Sequence, residues 1–157
     1  MTQLPAAQTR YLDARVTTAS QSELQLMLLD GAVRFGRQSQ LLWNAADRRE
    51  ECDRLLARTL DIVEELIHGV SNGKTEQSKR LEEEYAFAFR QLALAQLNRD
   101  SVPLEAALKV LDFHRETWKL ACDKLRAEVS AAAKPMAPLS TPQGGYLSSG
   151  PSLSLLG

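Results

Sequence analysis

Residues 20–37 read SQSELQLMLLDGAVRFGR, and the reading of this stretch decides the fold. Ser20 can accept a hydrogen bond from the first turn of a following helix, and Glu23, three residues on, can reach back to it as in a capping box. At about 100° per residue, Leu24, Met27, Leu28, Gly31, Phe35 and Leu42 fall on one face. A surface helix is polar on its opposite side. This one carries Leu26, Leu29 and Val33 there, a second apolar strip. A helix with two apolar faces needs two things to pack against. The protein's own core is one, and the rest of the chain must supply or invite the other.

Working outward, residues 1–19 form a polar lead-in. Tyr11, Leu12 and Val16 are spaced to dock a short segment on an apolar surface, and a flexible terminus fits the same stretch equally well. Downstream, the first helix extends to about Trp43, with Gly31 and Gly36 inside it as marks of close helix approach. Asp47, with Glu50 in the box position, caps a second helix whose apolar face holds Cys52, Leu55, Leu56, Thr59, Ile62, Val63, Leu66 and Ile67. It ends at His68-Gly69, where glycine suits a left-handed residue.

After the turn-rich VSNGK of residues 70–74, Thr75 opens a third helix to about Asn98. Its core face is Leu81, Tyr85, Ala88, Phe89, Leu92 and Ala95, with Phe87 and Leu94 off that face and Glu82-Glu83-Glu84 a solvated flank. Ser101 caps a fourth helix with Pro103 in its first turn. Leu104, Leu108, Leu111, Arg115, Trp118, Cys122, Leu125 and Val129 alternate steps of four and three, the seam of a left-handed bundle. Arg115 interrupts that seam and needs a carboxylate or carbonyl partner. Val110, Phe113 and Leu120 make a second, weaker strip. From residue 131 to 157 the composition turns to Pro, Ser, Gly and Ala, which reads as a disordered tail. The expected fold is therefore all-α: an antiparallel four-helix bundle over residues 20–130, with a flexible leading segment and a disordered tail.

The totals exclude several function classes. A hydrophobic share of 44% over 157 residues supports one domain with a real core. A net charge of -1 gives no basic footprint for nucleic acid or an anionic membrane. No apolar run approaches the ~18 residues needed to insert in a bilayer, and the N-terminus lacks a signal pattern, so a cytoplasmic setting is expected. Cys52 and Cys122 read as small core residues. Glu65 and His68 match the Glu-x-x-His element of di-iron bundles, but Leu111 stands where a second copy, ending in His114, would need its carboxylate. No metal, no cofactor and no catalytic residue is expected, and the chain does not read as an enzyme.

What remains is apolar surplus: Leu26, Leu29 and Val33 on the first helix, Phe87 and Leu94 on the third, Phe113 and Leu120 on the fourth. Together they suggest a groove for a partner helix. The alternative is a structural or adaptor protein in which the same strips pair two copies of the bundle as a homodimer.

Tyr11-Leu12, Thr18-Ala19-Ser20 and the run from Leu26 to Phe35 resemble the N-terminal signature of the flagellin-specific secretion chaperones, the FliS family. Further matches keep the order: Asp61 to Leu66, Leu81 with Tyr85, and Asp100 followed by Arg115-Glu116-Thr117-Trp118. The resemblance covers about residues 10–128. The family commonly has an aromatic where this chain has Leu29, which keeps the apolar character and removes a hydroxyl. The resemblance implies a four-helix cytoplasmic chaperone that holds the C-terminal segment of flagellin and delivers it to the flagellar export gate. It also implies that the leading segment, through Tyr11, lies in the groove until flagellin displaces it.

Overall fold

In the computed structural model, which describes residues 6, 7 and 20–133, the capping box at Ser20 is formed in both directions. Ser20 Oγ accepts from the Glu23 N–H and Glu23 Oε2 from the Ser20 N–H, each at 3.2 Å. This sets the start of α1 (Gln21–Leu41). After a 3-10 turn (Ala46–Arg48) come α2 (Arg49–Val70), α3 (Glu76–Asn98) and α4 (Ser101–Ala132). No strand occurs among the described residues. The expected cap residues Tyr11, Leu12 and Val16, and the expected tail beyond residue 133, lie outside them.

The helices form an antiparallel bundle, and the order of their contacts shows it. Along α1 and α2, Gly69 lies against Gln25, Ile62 against Gly31, Thr59 against Gly36 and Cys52 against Ser39. Between α1 and α4, Leu108 meets Gly36 and Glu105 meets Gln40. The described residues up to Cys122 make one compact unit. A second begins at Asp123, and its described part is the last turns of α4, where Leu125 and Val129 are exposed.

The side of α1 that faces the core is not the one its large residues suggest. Gln25, Leu29, Ala32, Gly36 and Ser39 are buried, in steps of four, three, four and three, with Val33 and Gly31 beside them. Leu29 and Val33, expected on a partner-facing strip, are 0% and 5% exposed and belong to the core cluster. Leu24, Met27 and Phe35 are only half-buried. The reason is distance: a seam built of Ala, Gly and Ser lets two neighbouring helices approach α1 more closely than leucines would. At the end of the seam Ser39 and Cys52 each bond the other's backbone carbonyl, at 3.1 and 3.2 Å. The rest of the core comes from Leu56, Val63 and Leu66 of α2, Tyr85, Ala88, Leu92 and Ala95 of α3, and Leu104, Ala107, Leu108 and Leu111 of α4.

Three helix ends differ from expectation. Asp47 sits in the 3-10 turn, and α2 starts after Arg48 with no side-chain cap. Gly69 lies inside α2, and its missing Cβ makes room for Gln25, whose Nε2 would sit 2.8 Å from it. Asp100, not Ser101, receives the first N–H of α4, from Val102 at 2.9 Å. Thr75 caps α3 as expected, accepting from the Ser78 N–H at 3.0 Å.

The left-handed residue is Arg99, at φ 53°. That conformation costs a residue with a Cβ about 1–2 kcal/mol, and the Arg99 side chain offsets it. Its guanidinium stacks on Trp43 at 4.4 Å and bonds Asp53 Oδ1 and the Trp43 carbonyl. The two-residue turn between α3 and α4 is thus tied to α2 and to the end of α1.

Near the same end, Gln40 and Arg37 of α1 both reach Glu105 of α4. The Gln40 hydrogen bond, followed by the Arg37 contacts, holds the Glu105 carboxyl below the usual carboxylate range against the opposing effect of burial.

A Cβ at Gly36 would overlap Leu108 Cδ2, and Leu108 is fully buried. Gly36→Ala should therefore destabilise the fold by about 1–2 kcal/mol, overpacking outweighing the gain in helix propensity. Gly31→Ala meets only Ile62 Cδ1, at 3.3 Å, the tip of a half-buried side chain. It should be neutral or stabilising. Urea midpoints of the two variants check the contrast.

Candidate functional site

Burying Tyr85, Ala88, Leu92 and Ala95 turns the α3 positions two residues from Tyr85 and Leu92 outward. Phe87 and Leu94, seven apart and so on one face, are 38% and 42% exposed. Burying Leu104, Leu108 and Leu111 does the same on α4. Phe113 and Leu120, also seven apart, are 65% and 69% exposed. The antiparallel pairing brings Phe87 beside Phe113, while Leu94 lies towards the α3–α4 turn and Leu120 towards the other end. Phe87, Val110 and Phe113 line one depression with Glu83, Glu84 and Lys109 at its edge. Phe113 also walls the neighbouring groove, of about 510 Å³, with Leu81, Trp118 and Ala121. Gln77, Arg80, Glu84, His114 and Thr117 complete that groove. The result is a continuous apolar trough between α3 and α4, with Phe113 as the ridge shared by its two parts.

The floor of the trough is polar and buried. Trp118 Nε1 donates to the Tyr85 hydroxyl at 3.2 Å, and that hydroxyl donates to Gln25 Oε1 at 3.4 Å. The chain of bonds links α4, α3 and α1 across the core. His114 is 5% exposed, edge-on to the rings of Tyr85 and Phe113 at 5.2 and 5.5 Å. Its Nε2 lies 2.5 Å from Glu84 Oε2, an ion-pair distance without hydrogen-bond geometry. Burial pushes the Tyr85 phenol up to about 12, the Glu84 charge adds to the shift, and the Trp118 hydrogen bond pulls the other way.

Sequence reasoning placed Phe87, Leu94, Phe113 and Leu120 in one groove; all four are exposed, but only Phe87 and Phe113 line the trough. It also named Leu26, which is half-buried on α1 and does not line the trough, and Leu29 and Val33, which are core. It missed His114, Trp118 and Gln25. Glu84, read as part of a solvated flank, faces His114 instead. The available signal was spacing: Leu81, Glu84, Tyr85 and Ala88 share a side of α3, so Glu84 borders its core face. Arg115 is half-buried, with Asp112 at 2.8 Å and Glu116 at 3.1 Å on its own helix, and the buried residue at this point of the seam is His114 instead.

The model of a family described as flagellar protein FliS matches residues 2–125, most of the chain. The chain belongs to the FliS family. No curated protein matches it. FliS proteins are flagellar chaperones, a family of binding proteins rather than enzymes. The match to FliS spans α1, α2 and α3 and continues in α4 to Leu125, so it includes every residue of the trough. Among the described residues, no helix is long and apolar enough to cross a membrane.

Removing the Tyr85 hydroxyl strands Trp118 Nε1 and Gln25 Oε1, so Tyr85→Phe should cost about 1–3 kcal/mol at neutral pH. The folded state holds the phenolic proton to about pH 12, whereas an unfolded tyrosine releases it near pH 10. Stability from the neutral phenol is complete below about pH 10 and drains as pH rises towards 12. The urea midpoint of the natural chain should fall faster above about pH 10 than that of Tyr85→Phe.

Proposed function

We propose that this FliS-family chain is a cytoplasmic export chaperone. It holds the C-terminal segment of flagellin, keeps it from polymerising early and delivers it to the flagellar export gate. The observation that carries this reading is the trough. Phe87 and Phe113 stand exposed at its centre on two adjacent helices, and Leu94 and Leu120 are exposed further along α3 and α4 in opposite directions, a line that an amphipathic client helix could follow. Each side chain gains roughly 1 kcal/mol on losing the rest of its water, so the four supply roughly 4 kcal/mol towards ordering a client segment. The leading segment, through Tyr11, Leu12 and Val16, covers the trough when no client is present.

Calorimetry with the C-terminal segment of flagellin from the same organism tests this. Equimolar binding is expected. Phe113→Ser should weaken it at least tenfold while leaving the urea midpoint within the error of measurement. Leu29→Ser should instead unfold the chain, because Leu29 is core. Leu41→Ser, at an exposed position on α1, should change neither. Absence of binding, with a dimer abolished by Phe113→Ser, would show that the face pairs two copies of the bundle.

A further inference from the structure

The trough has one group that an apolar partner cannot cover freely. Glu84 has a side chain 40% exposed, and its charge is met by His114 Nε2 at 2.5 Å and by Arg80 Nε at 3.9 Å. Arg80 is itself 82% exposed, so its contact is screened by solvent. The exposed part of the Glu84 side chain is open to water. A partner that fills the trough removes that water, and a carboxylate in a dry apolar site is costly unless a positive charge or donor faces it.

We propose that His114 makes partner capture at the α3–α4 trough proton-linked: the covered state binds a proton that the open state holds less tightly. This rests on the reading of the trough as the flagellin site. The imidazole is the group already placed for it. His114 is enclosed by protein, its Nε2 has no hydrogen-bond partner, and the nearest charged atom is the Glu84 oxygen. With a proton on Nε2 and charge on the ring, the pair is neutral overall and can be covered. Without it, covering strands a carboxylate beside a neutral ring.

The neighbouring charges do not offer a substitute. From α3 the trough receives Arg80, Glu83 and Glu84, and Arg80 reaches Glu84 only at 3.9 Å from an 82% exposed position. The Tyr85 phenol, edge-on to His114, stays neutral to about pH 12. On α4, Asp112, Arg115 and Glu116 are joined to one another. Lys109 stands at the edge of the Phe87 depression, on the far side of Phe113 from Trp118. No residue of α1 or α2 lines the trough, and the Tyr85 hydroxyl meets only the uncharged Gln25 of α1.

The linkage is sought across the pH range in which imidazoles in general change charge. The test is calorimetry of the flagellin C-terminal peptide binding the full chain, from pH 6 to 8.5. Each pH is run in two buffers of different ionisation enthalpy. Proton uptake approaching one per complex is expected somewhere in that range, with affinity falling by up to tenfold per pH unit where uptake is greatest. His114→Gln should bind with equal heats in both buffers and a flat pH profile. Glu84→Gln, at a half-exposed position, removes the charge that needs covering and should flatten the profile in a chain that folds.

Binding with no buffer dependence across the range overturns the inference alone, since it means that the partner supplies the donor for Glu84. Uptake that persists unchanged in both variants also overturns it, because the proton then belongs to another group. No binding in any buffer overturns the flagellin reading and this inference with it.

Discussion

The structure depends on how closely α1 can be approached. Ala32, Gly36 and Ser39 leave little side chain on the seam, so Thr59 of α2 and Leu108 of α4 come down onto the α1 backbone from two sides. Burial of α1 follows from this. Leu29 and Val33 do not face solvent or a partner, because they are enclosed by the helices drawn in around them, and Leu41 in the last turn is the leucine of α1 left exposed. With most of α1 satisfied by its own neighbours, the exposed apolar surface of the unit lies mainly on α3 and α4. The position of the trough is thus a consequence of glycine and serine in a different helix.

Most of the architecture was legible in the residues. The capping box at Ser20, the Thr75 cap, the core face of α3 from Tyr85 to Ala95 and the start of the α4 seam at Leu104, Leu108 and Leu111 all stand as their spacing predicts. The orientation of α1 was not legible, for a physical reason. Periodicity weighs large apolar side chains, whereas the buried seam of α1 is made of Gln25, Leu29, Ala32, Gly36 and Ser39. Only one of those five is a large hydrophobe. A helix that is apolar all round leaves its inward side to be chosen by fit, and fit depends on the surfaces of the other helices.

The polar floor of the trough was invisible for a related reason. Gln25, Tyr85, His114 and Trp118 come from three helices, and only His114 and Trp118, four apart on α4, share a spacing in the chain. Each alone reads as ordinary: a glutamine on an amphipathic helix, a core tyrosine, an isolated histidine. Their meaning lies in the pairing of the helices, which brings a hydroxyl, an indole N–H and a carboxamide within bonding distance. The exposed strips, in contrast, are local properties of α3 and α4, and for them a seven-residue spacing was enough.

The turn at Arg99 has a mechanical effect on the trough. By stacking on Trp43 and gripping Asp53, Arg99 pins the point where α3 hands over to α4. Two struts joined at a clamped corner are held together there, and the Trp118–Tyr85 bond ties them again part-way along, so their separation has most freedom beyond that bond. Any widening to admit a bulkier guest is greatest beside Gln77 and Ala121 and smallest beside Val102 and Leu94. The two walls therefore behave as a pair of tweezers with a fixed hinge, so a guest's thick end is tolerated far from the pivot and its slender end must lie close to it.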